Sequence, residues 1–449
     1  MTVAFVTLGC KVNQVDSGAL RHRLEAAGYV CVEPRANPDE HPNETAVSPG
    51  TPDVLVINSC AVTAESERKT RQKLRHFRAL FCDCVLVLTG CAVQVGKAED
   101  YPEADIVLGH REAVNLACYI DEFLSCKARI SFTSPHCSSE AFDALCCKSE
   151  DRTRAHLKIE DGCDRFCAYC IIPYARGRVR SMPLDTVRRE IQSLDTQGFR
   201  EIVLVGINLA AYGYDLGCDL GDVLALFSEK ELCASIQRIR LGSLEPDLLT
   251  PLLLSKLEKS LSYSKAELCP HFHVSLQSGC DSVLKRMGRH YSANDYSRLV
   301  DHLCNLFPGA AITTDIMVGF PGESEDEFKA SLAFAREVGF AKIHVFPFSS
   351  RPGTAAAAMQ DQVPRTVKRA RAKKMLALAE ERYAIFLDSQ IGKTLEVLAE
   401  EPHPAGGMRG YSAHYAPVRI TDAGPETQNQ IIPVKIDSAV PNYCVGVLT

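Results

Sequence analysis

Three cysteines, Cys163, Cys167 and Cys170, stand close together in the run Asp161-Gly-Cys-Asp-Arg-Phe-Cys-Ala-Tyr-Cys170. Their Cx3Cx2C spacing puts three thiolates in one short loop, with no fourth. A structural zinc ion is closed by four ligands, so three leave it unfinished. A [4Fe–4S] cluster held by three thiolates keeps one iron open for a small molecule, where a four-cysteine ferredoxin site leaves none. The spacing thus points to chemistry at an open iron. On spacing alone, a zinc knuckle with a borrowed ligand and three unrelated core thiols stay open as alternatives.

A second group is spread along the chain. Cys10 in Leu-Gly-Cys-Lys-Val-Asn-Gln, Cys60 in Asn-Ser-Cys-Ala-Val-Thr and Cys91 in Thr-Gly-Cys-Ala-Val-Gln each follow a short β-branched or apolar run, at 3–8, 53–58 and 84–89. Such runs alternating with helical segments predict a parallel sheet. Its strands end on one edge, where ligands bind. Distant cysteines at three strand ends should therefore converge. Gly9, Ser59 and Gly90 would let the backbone come close to a bulky inorganic ligand. The expectation is a second three-thiolate cluster with its own open iron. Small buried thiols are the competing reading, and it suits Cys31, Cys118, Cys233 and Cys304.

The elements that position these groups follow from the rest of the chain. At 449 residues, two to four domains are expected. The 50 Lys+Arg nearly balance 56 Asp+Glu, so a nucleic-acid partner must use local basic patches. Twenty cysteines without a secretory leader or a membrane-length apolar run fit a reducing cytoplasm and no membrane, where clustered cysteines mean metal or catalysis. Residues 34–52, rich in Pro, Asn, Glu and Ser, read as an inserted surface loop, and 127–153 as a linker. Cys137, Cys146 and Cys147 in that linker show no ligand pattern.

Strand signals resume at 155–160, 201–206, 238–241, 272–276, 312–317 and 343–346, with helical segments at 184–197, 292–307 and 324–338. Six βα units predict an incomplete relative of the eight-stranded barrel, with its chemistry at the carboxyl ends of the strands. Those ends carry Cys163, Asn208, Ser243, Glu245, Gln277, Asp315, Ser349 and Arg351, the lining expected of a polar cofactor pocket. A basic helix is predicted over 364–388. Short alternating segments with Gly and Pro turns follow over 391–449, among them 394–399 and 411–420, and predict a small β-barrel. The fold class is α/β, with a parallel-sheet domain (1–126), the linker (127–153), an incomplete (βα)6 barrel (154–388) and a small β-barrel (389–449).

Several runs now combine: Thr7-Leu-Gly-Cys-Lys-Val-Asn-Gln14, Asp161-Gly-Cys-Asp-Arg-Phe-Cys-Ala-Tyr-Cys-Ile-Ile-Pro-Tyr-Ala-Arg-Gly-Arg178 and His273-Val-Ser-Leu-Gln-Ser-Gly279. Met287-Gly-Arg, Asp315-Ile-Met-Val-Gly-Phe-Pro-Gly-Glu323 and Phe346-Pro-Phe-Ser-Ser-Arg-Pro-Gly-Thr354 continue the pattern. The chain resembles the methylthiotransferases of the radical S-adenosylmethionine (SAM) superfamily over nearly its whole length. The last barrel resembles a TRAM RNA-binding domain.

The resemblance implies two [4Fe–4S] clusters and SAM. Cys163, Cys167 and Cys170 would hold the cluster that binds and reductively cleaves SAM. Cys10, Cys60 and Cys91 would hold an auxiliary cluster that supplies sulfur. Beyond these ligands no catalytic residue is expected. Tyr169, Asn208, Ser243, Glu245, Gln277 and Arg289 are candidate SAM contacts. The form of the motifs resembles the branch acting on N6-threonylcarbamoyladenosine at position 37 of tRNA, beside the anticodon. The product would be its 2-methylthio derivative. The same chemistry on isopentenylated adenosine or on a ribosomal-protein aspartate is the near alternative, and a non-catalytic metal-stabilised RNA-binding protein is the distant one.

Implied partners are the anticodon stem-loop of tRNA, an electron donor and an unknown sulfur donor. Basic runs offer RNA contacts: Arg68, Lys69 and Arg71 in a helix that continues to Arg78, then Arg176 and Arg178, then Arg365, Lys368, Arg369 and Arg371. Tyr411 and Tyr415 are candidates for stacking on bases or for core packing.

Overall fold

The computed structural model describes residues 1–33, 51–136, 141–143, 153–229, 232–263 and 266–449. Nearly all of the expected loop at 34–52, and Cys137, Cys146 and Cys147, lie outside the described residues.

The first part of the chain is a six-stranded parallel sheet. Its strands are β1 (Thr2–Thr7), β2 (Val30–Val32), β3 (Val54–Ser59), β4 (Val85–Gly90), β5 (Ile106–Leu108) and β6 (Ile130–Phe132), in the order β2-β1-β3-β4-β5-β6. Helices cover both faces, so central strands must be apolar on both sides. Every residue of β3 and β4 is buried. Alternation along them sends Leu55, Ile57, Leu86 and Leu88 to one face, where Leu74 and Phe77 of helix α2 (Ala64–Leu80) pack. Val54, Val56, Val85 and Val87 go to the other, against Leu20 and Leu24 of α1 (Lys11–Ala26). Ile130–Phe132 corrects the linker reading: it pairs with β5 as the edge of this sheet.

All six expected strands of the central part form, at Ala155–Lys158, Glu201–Val205, Arg238–Leu241, His271–Val274, Ala311–Val318 and Lys342–Pro347. The first three lie side by side in one sheet and the last three in another, with parallel pairing throughout. Alternate residues such as Leu157, Ile202, Ile239, Phe272, Ile312 and Ile343 share a core with Ile191, Leu303 and Phe328 of the outer helices. Period two leaves Val203, Val205, Arg240, His273, Asp315 and His344 on the inner face. There the start of α1 enters from the first domain, and Val12 packs on Val203 and Val205.

The helix Arg365–Asp388 belongs to two cores. Met375, Leu378 and Ala379 pack in the central one, while Leu387 packs in the last. Beyond it, five strands close into a small barrel. The expected strand over 411–420 is in fact two, Met408–Ser412 and Pro417–Ile420, because the chain turns at Tyr415 with φ of 67°. That turn seats against the amino ends of the central strands. Arg240, fully buried with Glu201 at 2.7 Å, donates to the carbonyls of Ser412 and Ala413. The Tyr415 ring lies 4.8 Å from Tyr411, 4.7 Å from His271, 4.7 Å from the Arg240 guanidinium and 5.2 Å from that of Arg154. Both tyrosines pack between domains, half-buried against Arg154.

One outer helix illustrates a pH-dependent contribution. Ser324 caps Glu325–Val338, accepting from the Glu327 amide at 3.1 Å, while Glu327 accepts from the Ser324 amide at 2.8 Å. Arg286 also grips Glu327, at 2.9 and 2.8 Å, and this hydrogen bonding brings the carboxyl pKa down to about 2. A depressed carboxyl stabilises the fold above its unfolded pKa and loses that contribution as pH falls through its folded one. Glu327→Gln should therefore cost on the order of 1 kcal/mol above pH ~4.5, with the cost shrinking towards pH ~2. Denaturant melts of both proteins across that range check this.

Candidate active site at the junction of the first two domains

Cys10 is the N-cap of α1, Cys60 follows β3 directly and Cys91 follows β4. The three do converge. Asn13 Oδ1 lies 3.7 Å from Cys10 Sγ and 4.0 Å from Cys91 Sγ, and a Cβ on Gly9 would sit 3.0 Å from Cys60 Cβ. Gly90 has φ of +99°, and a Cβ there would come within 2.4 Å of Asn58 Oδ1, so the bend into Cys91 admits no side chain. Asn13 is itself fixed, donating to the carbonyls of Leu8 and Ser59 at 2.9 Å. Burial pushes the Cys91 thiol up to about 12. A cation at the site would reverse that preference, because ligation needs the thiolate.

Behind these thiols lies a buried ionic lattice that joins the two domains. Arg176, 1% exposed, donates to Asn13 at 2.7 Å, Asp16 at 2.8 Å and Asp161 at 3.0 Å. Lys158 bridges the same Asp16 and Asp161, each at 2.7 Å. Arg176 was expected on an RNA-facing surface; the structure instead buries it between carboxylates and beside Cys10 and Cys91. It ends the short helix Ile172–Arg176, which begins two residues after Cys170. Ile171 and Ala175 pack in the same core as Cys91 and Ala92.

Cys163, Cys167 and Cys170 lie in the loop after Glu160–Asp161. The loop is pinned by Cys163 N–H to the Gly177 carbonyl at 3.1 Å and Ala168 N–H to the Met287 carbonyl at 2.8 Å. Gly162 has φ of +88°, and a Cβ there would lie 2.0 Å from the Arg178 carbonyl oxygen. Arg289 donates to Cys167 Sγ at 3.4 Å, to the Tyr291 hydroxyl at 2.9 Å and to the Ser275 carbonyl at 3.0 Å, and pairs with Glu245 at 2.8 Å. Tyr169 packs beside Met287, Phe320 and Phe348, with its phenol within electrostatic reach of Arg289. Asn208 donates its N–H to Glu160 at 2.7 Å, yet Asn208 Oδ1 and Glu160 Oε1 are both buried without a partner among the described residues. Burial raises the Glu160 carboxyl to about 8. Two orphaned polar atoms near an open thiolate group fit a polar ligand.

Among the described residues no three His, Cys, Asp or Glu side chains gather tightly enough to close on one metal ion. A four-iron cluster needs no such closeness, since each thiolate binds a different iron.

Two family models match the chain: the radical SAM superfamily over residues 157–335, and an uncharacterized protein family, UPF0004, over residues 2–109. The threonylcarbamoyladenosine tRNA methylthiotransferase MtaB of Thermotoga maritima is 36% identical over 92% of this chain and 90% of its own length. The Bacillus subtilis protein of that name is 35% identical over 99% and 96%. The chain belongs to the radical SAM methylthiotransferase family. The tRNA-2-methylthio-N(6)-dimethylallyladenosine synthase of Pelotomaculum thermopropionicum is 31% identical over 99% of this chain and 97% of its own. In fold, the radical SAM methyltransferase TsrM of Kitasatospora setae superposes with a TM-score of 0.55 at 15% identity, covering 79% of this chain and 73% of that one.

The other expected contacts of this methylthiotransferase divide. Ser243 is exposed and Gln277, with φ of 67°, bridges to the strand bearing Asp315. Ser349 and Arg351 hold α2, through the Ala64 amide at 3.0 Å and Glu67. Arg371 is a second correction: it is buried against Glu323 at 2.7 Å and cannot meet RNA. Lys368 lies half-buried over the Phe348 ring. Lys69, Arg178, Arg365 and Arg369 are exposed, as is Arg68, which pairs with Glu65 at 2.6 Å. Arg71 stands 3.9 Å from Glu67. Asn13, Asp16, Lys158, Glu160 and Asp161 were missed as site residues. Asn13 and Asp16 pair across domains with Arg176 and Lys158, and Glu160 meets Asn208 48 residues away, so no local spacing marks these contacts. Among the described residues no helix is long and apolar enough to cross a membrane.

Proposed function

We propose that the protein inserts a methylthio group at C2 of N6-threonylcarbamoyladenosine at position 37 of tRNA, using two [4Fe–4S] clusters and SAM. The observation that carries this reading is that the segment leaving Cys170 packs against Cys91 and sends Arg176 to Asn13, so that two three-cysteine groups adjoin one domain junction. The names of the Thermotoga and Bacillus relatives support the substrate. Bound at the two groups, the clusters and SAM supply the one-electron chemistry and the sulfur that an unactivated C–H bond requires.

The chain's own residues place and enclose those groups. Cys163, Cys167 and Cys170 hold one, and Cys10, Cys60 and Cys91 the other. Arg289, locked by Glu245 and Tyr291, fixes a positive charge beside Cys167. Glu160 and Asn208 offer their orphaned oxygens to SAM, with Tyr169, Ser243 and Gln277 around it. Arg68, Lys69, Arg71, Arg178, Arg365 and Arg369 neutralise phosphates of the anticodon stem-loop. An electron donor reaches the clusters in the cytoplasm.

The test is anaerobic reconstitution with iron, sulfide and zinc analysis, followed by digestion of tRNA from cells with and without the protein. Close to eight irons are expected in the intact chain, and close to four in Cys163→Ala/Cys167→Ala/Cys170→Ala, as two [4Fe–4S] clusters imply (~4 irons each). The 2-methylthio derivative of threonylcarbamoyladenosine should disappear with the protein. Zinc with little iron would turn the reading to metal-stabilised RNA binding. Loss of the dimethylallyl derivative instead would move the substrate.

A further inference from the structure

Lys11 directly follows Cys10 and is the first residue of α1. Val12 beside it packs on the inner face of the central sheet, so α1 carries Lys11 into the lumen. The ammonium lies 5.7 Å from the centre of the Tyr415 ring that closes the lower end. It is within electrostatic reach of Arg154, Arg240 and Glu201, and of His271 and His344.

Its neighbouring cations are satisfied. Arg240 has Glu201 and two carbonyls, and Arg154 has Glu400 at 2.6 Å. Lys11 makes no hydrogen bond or ion pair among the described residues. An ammonium drawn out of water without a counter-ion is costly, and an arriving anion relieves that cost. Across the lumen, His273 is held by Thr313 at 3.0 Å and Asp315 at 3.3 Å. The His344 ring is centred 5.8 Å from that of His273 and stays exposed on the inner face.

The substrate named above has a matching group. Its N6 substituent ends in a free carboxylate, whereas a dimethylallyl tail carries no charge. On adenine, C2 and N6 sit on one edge with N1 between them. A base that presents C2 to whatever Cys10 holds therefore presents its N6 tail to residues close by in space, and Lys11 is the next residue.

We propose that Lys11, with His344 beside it, binds the carboxylate of the threonylcarbamoyl tail and so selects this substrate over an adenosine with an apolar tail. This rests on the reading of substrate given above. An apolar tail in the same place would leave the Lys11 ammonium buried and uncompensated, so the lumen rejects it as well as favouring the acid.

The test pairs a turnover assay, with reductant and SAM, on threonylcarbamoyl and dimethylallyl stem-loops with a binding assay that uses the reconstituted enzyme, without reductant, and three anticodon stem-loops. These carry threonylcarbamoyladenosine, its methyl ester, or plain adenosine. Wild type should bind the acid about 10- to 100-fold more tightly than the ester. Lys11→Met should bind the two alike, with affinity for the plain stem-loop unchanged, and Lys11→Arg should keep most of the discrimination. A fully iron-loaded Lys11→Met that still discriminates overturns the proposal. If Lys11→Met loads iron poorly, His344→Leu takes its place, and undiminished discrimination there overturns it equally. Wild type that converts only a dimethylallyl stem-loop defeats the substrate reading and this proposal together. Wild type that converts the threonylcarbamoyl stem-loop, with discrimination indifferent to Lys11, defeats this proposal alone.

Discussion

Alanine at Cys10, Cys60 and Cys91 together should abolish 2-methylthio product, a fall of at least ~10³-fold, while reductive cleavage of SAM continues within a few-fold of wild type. The separation follows from how the two groups are held. The first is built on β1, β3 and β4, with Asn13 as its common neighbour. The second is pinned by Gly177, Met287 and Arg289, all within the central domain. Removing three small thiols leaves Asn13 anchored by Leu8 and Ser59, so the lattice behind them stays intact. Residual chemistry from one intact group cannot replace a missing sulfur source, and this is why the expected loss is total rather than graded. The check is a single anaerobic quench assayed for 5′-deoxyadenosine and for the 2-methylthio nucleoside. Persistent methylthio product would remove the first group from the reaction.

The second large effect is expected at Arg176. Arg176→Met keeps much of the side-chain volume but strips the charge from a site where Asp16, Asp161 and Asn13 all point at the guanidinium. Lys158 and Arg180 would then face the two carboxylates alone. Breaking one member of a buried pair costs about 3–5 kcal/mol, because the remaining charges stay buried. In a protein of this size that should lower Tm by roughly 4 °C. Asn13 would also lose the donor to its Oδ1 and keep only its anchors on Leu8 and Ser59, so iron should fall by about half as the Cys10 group loosens. Arg176→Lys should recover only part of either, since an ammonium cannot serve three acceptors in the fork geometry. Calorimetry beside iron analysis decides it, and an unchanged Tm would show that the lattice bears no weight.

Sequence patterns made some of this visible and hid the rest. The cysteine groups were legible for two reasons. One is packed into eight residues, and the other repeats one device at three strand ends. The central strands were legible because both their faces are buried and the runs are continuous, as in Val54–Ser59. Three-residue edge strands such as Ile130–Phe132 carry too little pattern to be read. The break at Tyr415 was invisible because it is a tertiary contact, with Arg154 and Arg240, that stabilises the turn. Arg176 misled for a similar reason: one of its acids lies 15 residues away and the other 160. The basic stripe on α2 is only partly free, and the sequence shows why. Glu65 and Glu67 stand one turn ahead of Arg68 and Arg71, a spacing that predicts pairing.

The lattice around Arg176 also bears on how the chain can be divided. One matched family ends at residue 109 and the other begins at 157, which marks an apparent place to cut. Yet Asp16 belongs to the first piece, and Lys158, Asp161 and Arg176 to the second. Separated, the first piece would expose Asp16 without its cations, and the second would keep Lys158 and Arg176 with only Asp161 between them. The two segments thus match separate families but share one set of buried charges. A graft that exchanged one of them would have to bring its matching charges along.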